Sequence, residues 1–305
     1  MKSFLNIYGK VLALMMMMVL GVLLPQFHTL SFLVQYLLMG MLFFAFLGIE
    51  FKPQSFQIGG LWILAANVTI AFVAFRLLSS IDLDLALAAF MTGIAPTAIA
   101  APVIVSFIEG KVEYVVGVLL LTNVSSAIIV PFTLPYLLGA NVRVSVWEVL
   151  QPVLAVMFIP LILSRLVALL PSKAQDFIHK GKPYSFPIWL INLFIISAKA
   201  ADFLRREFSG STSTLIEIAL ISLAICIVNF GVGALIGGRR YWQEASQSLG
   251  QKNNSFVIWI ALAFINPLVA MGPTFYILYH HVYNSWQIYR FEKQRNNVRY
   301  KLTGE

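Results

Sequence analysis

The chain has 305 residues, 59% of them hydrophobic and only 11% charged, with a formal net charge of +8 and a mean hydropathy of +0.84. A soluble domain carries about 25% charged residues, and a soluble core cannot hide repeated apolar runs of about 18 residues or more, so the composition excludes a soluble protein and indicates a polytopic membrane protein. The Lys and Arg residues are dispersed between apolar runs and gathered near the C terminus, which argues against nucleic acid as a partner and for topology signals and contacts with the lipid bilayer.

A helix needs about 20 apolar residues to cross about 30 Å of hydrocarbon. On that ruler the sequence predicts ten segments, at residues 4–24, 30–50, 58–78, 83–107, 114–138, 146–170, 186–204, 215–237, 241–264 and 269–289. Lys2 is followed by a long apolar run with no early small-x-small cleavage site, so segment one is expected to be retained rather than removed as a signal peptide. The single cysteine, Cys226, excludes an internal disulfide and a thiolate cluster and reads as a small core residue.

Segment four contains Gly-Ile-Ala-Pro-Thr-Ala-Ile-Ala-Ala-Pro-Val at residues 93–103, where Pro96 and Pro102 each remove a donor from the helix ladder. Segment nine contains Ser-Gln-Ser-Leu-Gly-Gln-Lys-Asn-Asn-Ser at residues 246–255. Gly250 and the amides Gln251, Asn253 and Asn254 are poor helix formers, and the strongly apolar residues 256–264 follow at once. A lysine at the centre of a span costs roughly 3 kcal/mol, so Lys252 is expected to face a cavity or a partner. Taken singly, the prolines read as simple kinks and residues 243–254 as a loop. Taken together they are interrupted segments in matching positions of two halves, which points to a transporter's midplane site.

A cut at residues 139–145 leaves five segments on each side: a first repeat over 1–139, a second over 140–290 and a basic tail over 291–305. An odd number of helices per half makes the second half enter from the opposite side, so the repeats are inverted. Cations such as Lys10, Lys52, Lys111, Lys180, Arg239, Arg240 and the tail outnumber those on the other face, namely Arg76, Arg143, Lys199, Arg205 and Arg206. The positive-inside rule therefore places both termini in the cytoplasm, with Lys199, Arg205 and Arg206 as the main dissent. The expected location is the plasma (inner) membrane.

Residues 93–104, the following Glu109-Gly110 and Gly-Gln-Lys-Asn-Asn-Ser at 250–255 resemble the bile acid:sodium symporter superfamily, with agreement in length and segment order over essentially the whole chain. The resemblance implies a panel domain from segments one, two, six and seven, and a core domain from the other six. Segments four and nine would cross at the midplane, and organic anions would be moved with sodium. The sodium ligands match badly. Ala101 and Pro102 stand where the family pattern has Ser-Asn, and Ser248 and Lys252 stand at the glutamate and glutamine of Glu-Val-Gly-Met-Gln-Asn-Ser.

Sodium wants oxygen ligands, carboxylate above all, and an ammonium in the same pocket repels it. Lys252 would then occupy the space of a sodium, attract an anionic substrate when protonated, and exchange a proton during transport, because desolvation disfavours a charged amine. The sequence therefore leads to an all-α carrier of a small organic anion that is proton-coupled or facilitative rather than sodium-driven. Its substrate-binding and coupling residues are Lys252, Gln251, Asn253, Asn254, Ser248, Thr97 and Asn123, its helix breaks Pro96, Pro102 and Gly250, with no metal and no cofactor.

Two alternatives stand beside this one: a sodium symporter with rebuilt ion sites, to which Glu244 would contribute, and a transporter-derived sensor or channel. An enzyme is not expected, since His-Glu-x-x-His, Gly-x-Ser-x-Gly and paired aspartates at depth are all missing. Asn67 and Thr69 in segment three and Thr122, Ser125 and Ser126 in segment five read equally as site lining and as interhelical glue. His280 and His281 point about 100° apart on a helix, so they cannot clasp one metal; one of them is expected to face the core.

Overall fold

The computed structural model describes residues 2–48, 57–139, 144–206 and 212–303; Glu50, Lys52 and Arg143, used above for boundaries and topology, lie outside them. The described residues are almost entirely helical, with no strand among them. The order is α1 (Lys2–Leu23), a 3-10 stretch (Pro25–Leu33), α2 (Val34–Phe46), α3 (Ile58–Leu78), α4 (Leu83–Ile94), α5 (Ala100–Phe107) and α6 (Val112–Leu138). There follow α7 (Val146–Leu166), α8 (Ser172–His179), α9 (Ser185–Arg206), α10 (Thr212–Gly250), α11 (Asn254–Phe264) and α12 (Pro267–Thr303). Six helical stretches among the described residues are long and apolar enough to cross a membrane, and the chain is a membrane protein.

Local chemistry sets the boundaries. Asp82 caps α4 by accepting from Leu85 N at 2.9 Å, and Ser145 with Glu148 forms a capping box on α7. Asp82→Ala is expected to cost about 1 kcal/mol of stability, read as a lowered midpoint of thermal unfolding in detergent. α10 folds back on itself at Gly238, whose φ of 56° suits glycine. Its limbs, residues 212–237 and 242–250, lie so close that a Cβ on Gly233 would stand 2.5 Å from Ala245 O.

Two features were not foreseen. α8 bridges α7 and α9 with no residue buried, a short helix whose polar residues hide it from a hydropathy ruler. α12 continues unbroken to Thr303 through the expected tail, because Glu292, Lys293, Gln294 and Arg295 are good helix formers.

Helices α1, α2 and α9 pack mainly on one another, α7 packs on both α2 and α6, and α3, α4, α6, α10, α11 and α12 form a second set. Cations close several helix ends: Arg165 donates to Phe46 O at 2.8 Å and Arg205 to Val22 O at 2.8 Å, each on the carbonyl end of a neighbouring helix. Arg206 pairs with Asp202 at 2.8 Å. Two of the three cations that dissented from the topology rule are thus engaged in local structure. Every residue of α4 from Leu85 to Ile94 and of α11 from Asn254 to Ala261 is buried. A helix buried on all sides lies within the bundle rather than at its lipid face.

Candidate functional site: a crossing of two broken helices

α4 stops at Ile94 and α5 starts at Ala100. Pro96 cannot donate, and it drives Ala95 out of the helical region, to φ −49° and ψ 131°. α10 stops at Gly250 and α11 starts at Asn254. Between these ends Thr97 and Lys252 form an antiparallel bridge. Ala98 N donates to Gln251 O at 2.7 Å, and Asn253 N donates to Pro96 O at 2.7 Å. Each break thereby supplies backbone partners that the other lacks, which is what makes two breaks tolerable inside a membrane protein. Pro102 does not lie in the break. It sits in the first turn of α5, where its missing donor has no intrahelical partner to lose.

The side chains reinforce the crossing. Thr97 Oγ1 donates to Ser248 O at 2.6 Å, Thr97 N donates to Thr122 Oγ1 at 3.1 Å, and Asn123 Nδ2 donates to Thr97 O at 2.9 Å. Asn67 Nδ2 and Ser126 Oγ both donate to Ile94 O, at 3.1 and 3.2 Å, closing the carbonyl end of α4.

Lys252 is 2% exposed. Its ammonium donates to Asn67 Oδ1 and to Gly93 O at 3.1 Å. Both acceptors are neutral oxygens at the negative end of the α4 dipole, and among the described residues no ion pair is made to Lys252. Glu244 does not approach it. The Glu244 carboxylate accepts from Lys111 N at 2.8 Å and so caps the start of α6, at the far end of the hairpin limb.

The crossing also holds polar atoms without a hydrogen-bond partner: Asn123 Oδ1, Ser248 Oγ and Asn253 Nδ2. Of the residues expected at the site, Lys252, Gln251, Asn253, Ser248, Thr97 and Asn123 meet at the crossing, and Asn254 begins α11 beside it. Sequence reasoning did not single out Asn67 over Thr69, or Thr122 over Ser125. Nor did it find the buried stripe His280, Asn284 and Gln287 on α12, or the fully buried Asn192 of α9. The i, i+4, i+7 spacing of the polar residues in α12 was the available signal. Among the described residues no group of three or more His, Cys, Asp or Glu could hold a metal ion.

No protein family model matches the chain, and no curated protein matches it significantly in sequence.

Proposed function

We propose that the protein is a secondary carrier of a small organic anion, with a binding site at the crossing of the two broken helices. The reading includes ten spans in two inverted five-helix repeats and a likeness to the bile acid:sodium symporters. α1, α2, α7 and α9 would form the panel and the other set the core, with both termini in the cytoplasm of the plasma membrane.

The observation that carries the reading is the paired break itself. Two interrupted segments, each fourth in its half, meet at one point, and irregular backbone at that depth is characteristic of a transporter's binding site. Three further features support an anion. The N-termini of α5 and α11, the positive ends of their dipoles, both face the crossing. Lys252 brings a buried amine to it, and Ser248 Oγ and Asn253 Nδ2 are donors free to bind an anionic solute.

Sodium independence is supported by what holds Lys252. Oxygen atoms of a side-chain amide and a backbone carbonyl are the ligands a hard cation would take. Here they hold a cation that cannot leave, and Ala101 and Pro102 add no side-chain oxygen. The chain carries its own ammonium where a symporter would recruit an ion, which leaves proton coupling or simple facilitation.

Uptake of a panel of small organic acids into proteoliposomes, under imposed sodium or proton gradients, tests this. The expected outcome is uptake that ignores the sodium gradient and is lost in Lys252→Ala. Sodium-driven uptake in the unaltered protein would overturn the ion assignment, and a complete lack of uptake across the panel would favour a sensor.

A further inference from the structure

Besides the apolar contacts of Ile225, Cys226 and Phe230 with α12, one stripe between the broken helix and α12 is polar well beyond the crossing. Gln247, Gln251 and Asn254 lie on one side of the broken helix, and His280, Asn284 and Gln287 lie opposite them on α12, at most 4% exposed. Along α12 these three span about 10 Å, from beside the crossing toward its C-terminal end.

The amides form a ladder: Gln247 Nε2 donates to Asn284 Oδ1 and to Gln287 Oε1, and Asn284 Nδ2 donates to Gln251 Oε1. At the inner end Asn254 Nδ2 lies 3.4 Å from Lys252 O and 3.4 Å from His280 Nδ1. At the outer end Gln287 is less than one turn from Arg290, which is exposed.

If this stripe served only to bind two helices together, its polar atoms would pair with one another, because an unpaired buried group costs about 1–3 kcal/mol. They do not. Gln247 Oε1, Gln287 Nε2, Asn254 Oδ1 and His280 Nε2 are all buried and all without a hydrogen-bond partner. Four unmet donors and acceptors along one seam match the needs of ordered water, which makes about three hydrogen bonds per molecule to such groups.

We propose that this seam is an aqueous path, with water as its ligand, that connects the surface beside Arg290 with the crossing. It brings solvent to the Lys252 backbone from one side only and ends at Asn254 and His280. His280 is the titratable group on it, faced by Asn254, by the Tyr276 ring at 5.7 Å and by the His281 ring at 4.5 Å. The path does not depend on which solute the protein carries.

Radiolytic hydroxyl-radical labelling of the unaltered protein in lipid nanodiscs tests it, because the radicals form from water in place and need no transport. His280 is expected to label at least about tenfold faster, after correction for intrinsic reactivity, than Phe90, which is equally buried in an apolar cluster. In the double variant Gln247→Leu with Asn284→Leu, His280 labelling is expected to fall to the Phe90 level, with unfolding monitored separately. His280 as silent as Phe90 in the unaltered protein would overturn the proposal. So would His280 labelling that survives in a folded double variant, since water would then arrive by another route. Neither result bears on uptake, so failure here is distinct from failure of the carrier reading.

Discussion

Lys252→Gln is expected to give a protein that sodium stabilises, where the unaltered protein responds equally to sodium and potassium. The substitution removes the tethered ammonium but leaves Asn67 Oδ1 and Gly93 O in place and adds an amide oxygen from the new side chain. A set of neutral oxygens in a buried site is then open to a small hard cation. If sodium binds only the folded form, stability rises by about 1.4 kcal/mol at ten times the dissociation constant. A thermal unfolding series in sodium chloride against potassium chloride measures this, and equal shifts in the two salts would sink the tethered-cation argument.

Lys252→Met carries the complementary expectation. It strands Asn67 Oδ1 and Gly93 O, at about 1–3 kcal/mol for each unmet acceptor. Adding Asn67→Leu removes one of those acceptors and is expected to recover part of the stability without restoring uptake. Recovery of both would mean that Lys252 acts only as a strut.

The positions of the breaks were legible because they rest on backbone rules. Pro96 has no amide hydrogen wherever it sits, and Lys252 is expensive at depth whatever surrounds it. Pro102 misled for an instructive reason: it breaks a helix interior but is harmless in a first turn, and the sequence does not say which of the two it occupies. The partners of the crossing were not legible. Asn67 and Thr69 differ by two positions on α3, about 200° around the helix, and only packing decides that Asn67 faces α4 and Lys252. Glu244 was open to an ion site in the sequence, yet its place on the hairpin limb turns it to the start of α6. The stripe on α12 was written in the spacing of His280, Asn284 and Gln287, but what it faces depends on the fold of α10 at Gly238.

Gly250→Ala is expected to destabilise the protein by at least about 1–3 kcal/mol, the usual cost of forcing extra volume into a packed core. On helix propensity alone the sign would be opposite, because alanine is favoured over glycine by about 1 kcal/mol and Gly250 ends α10 without a positive φ. Packing decides it. A Cβ at Gly250 would stand 2.2 Å from Phe230 Cδ1 and 2.4 Å from Cε1 and Cγ. The ring has little freedom to yield, since it is stacked on Tyr283 at 3.8 Å between centroids. The backbone would have to move instead, and it is held too: Gly250 O accepts from Tyr276 Oη at 2.8 Å, and the next residue carries the Gln251 carbonyl that receives Ala98 N. Displacing Gly250 therefore loosens the crossing itself, and uptake is expected to fall together with stability. A double-mutant cycle with Phe230→Ala separates the causes. Phe230→Ala alone costs about 3–5 kcal/mol through its cavity, and if the clash is the mechanism the pair is less destabilised than the sum of the two singles. Strict additivity, or a Gly250→Ala protein more stable than the original, would show that the ring does not press on this glycine and that the crossing is held by its hydrogen bonds alone.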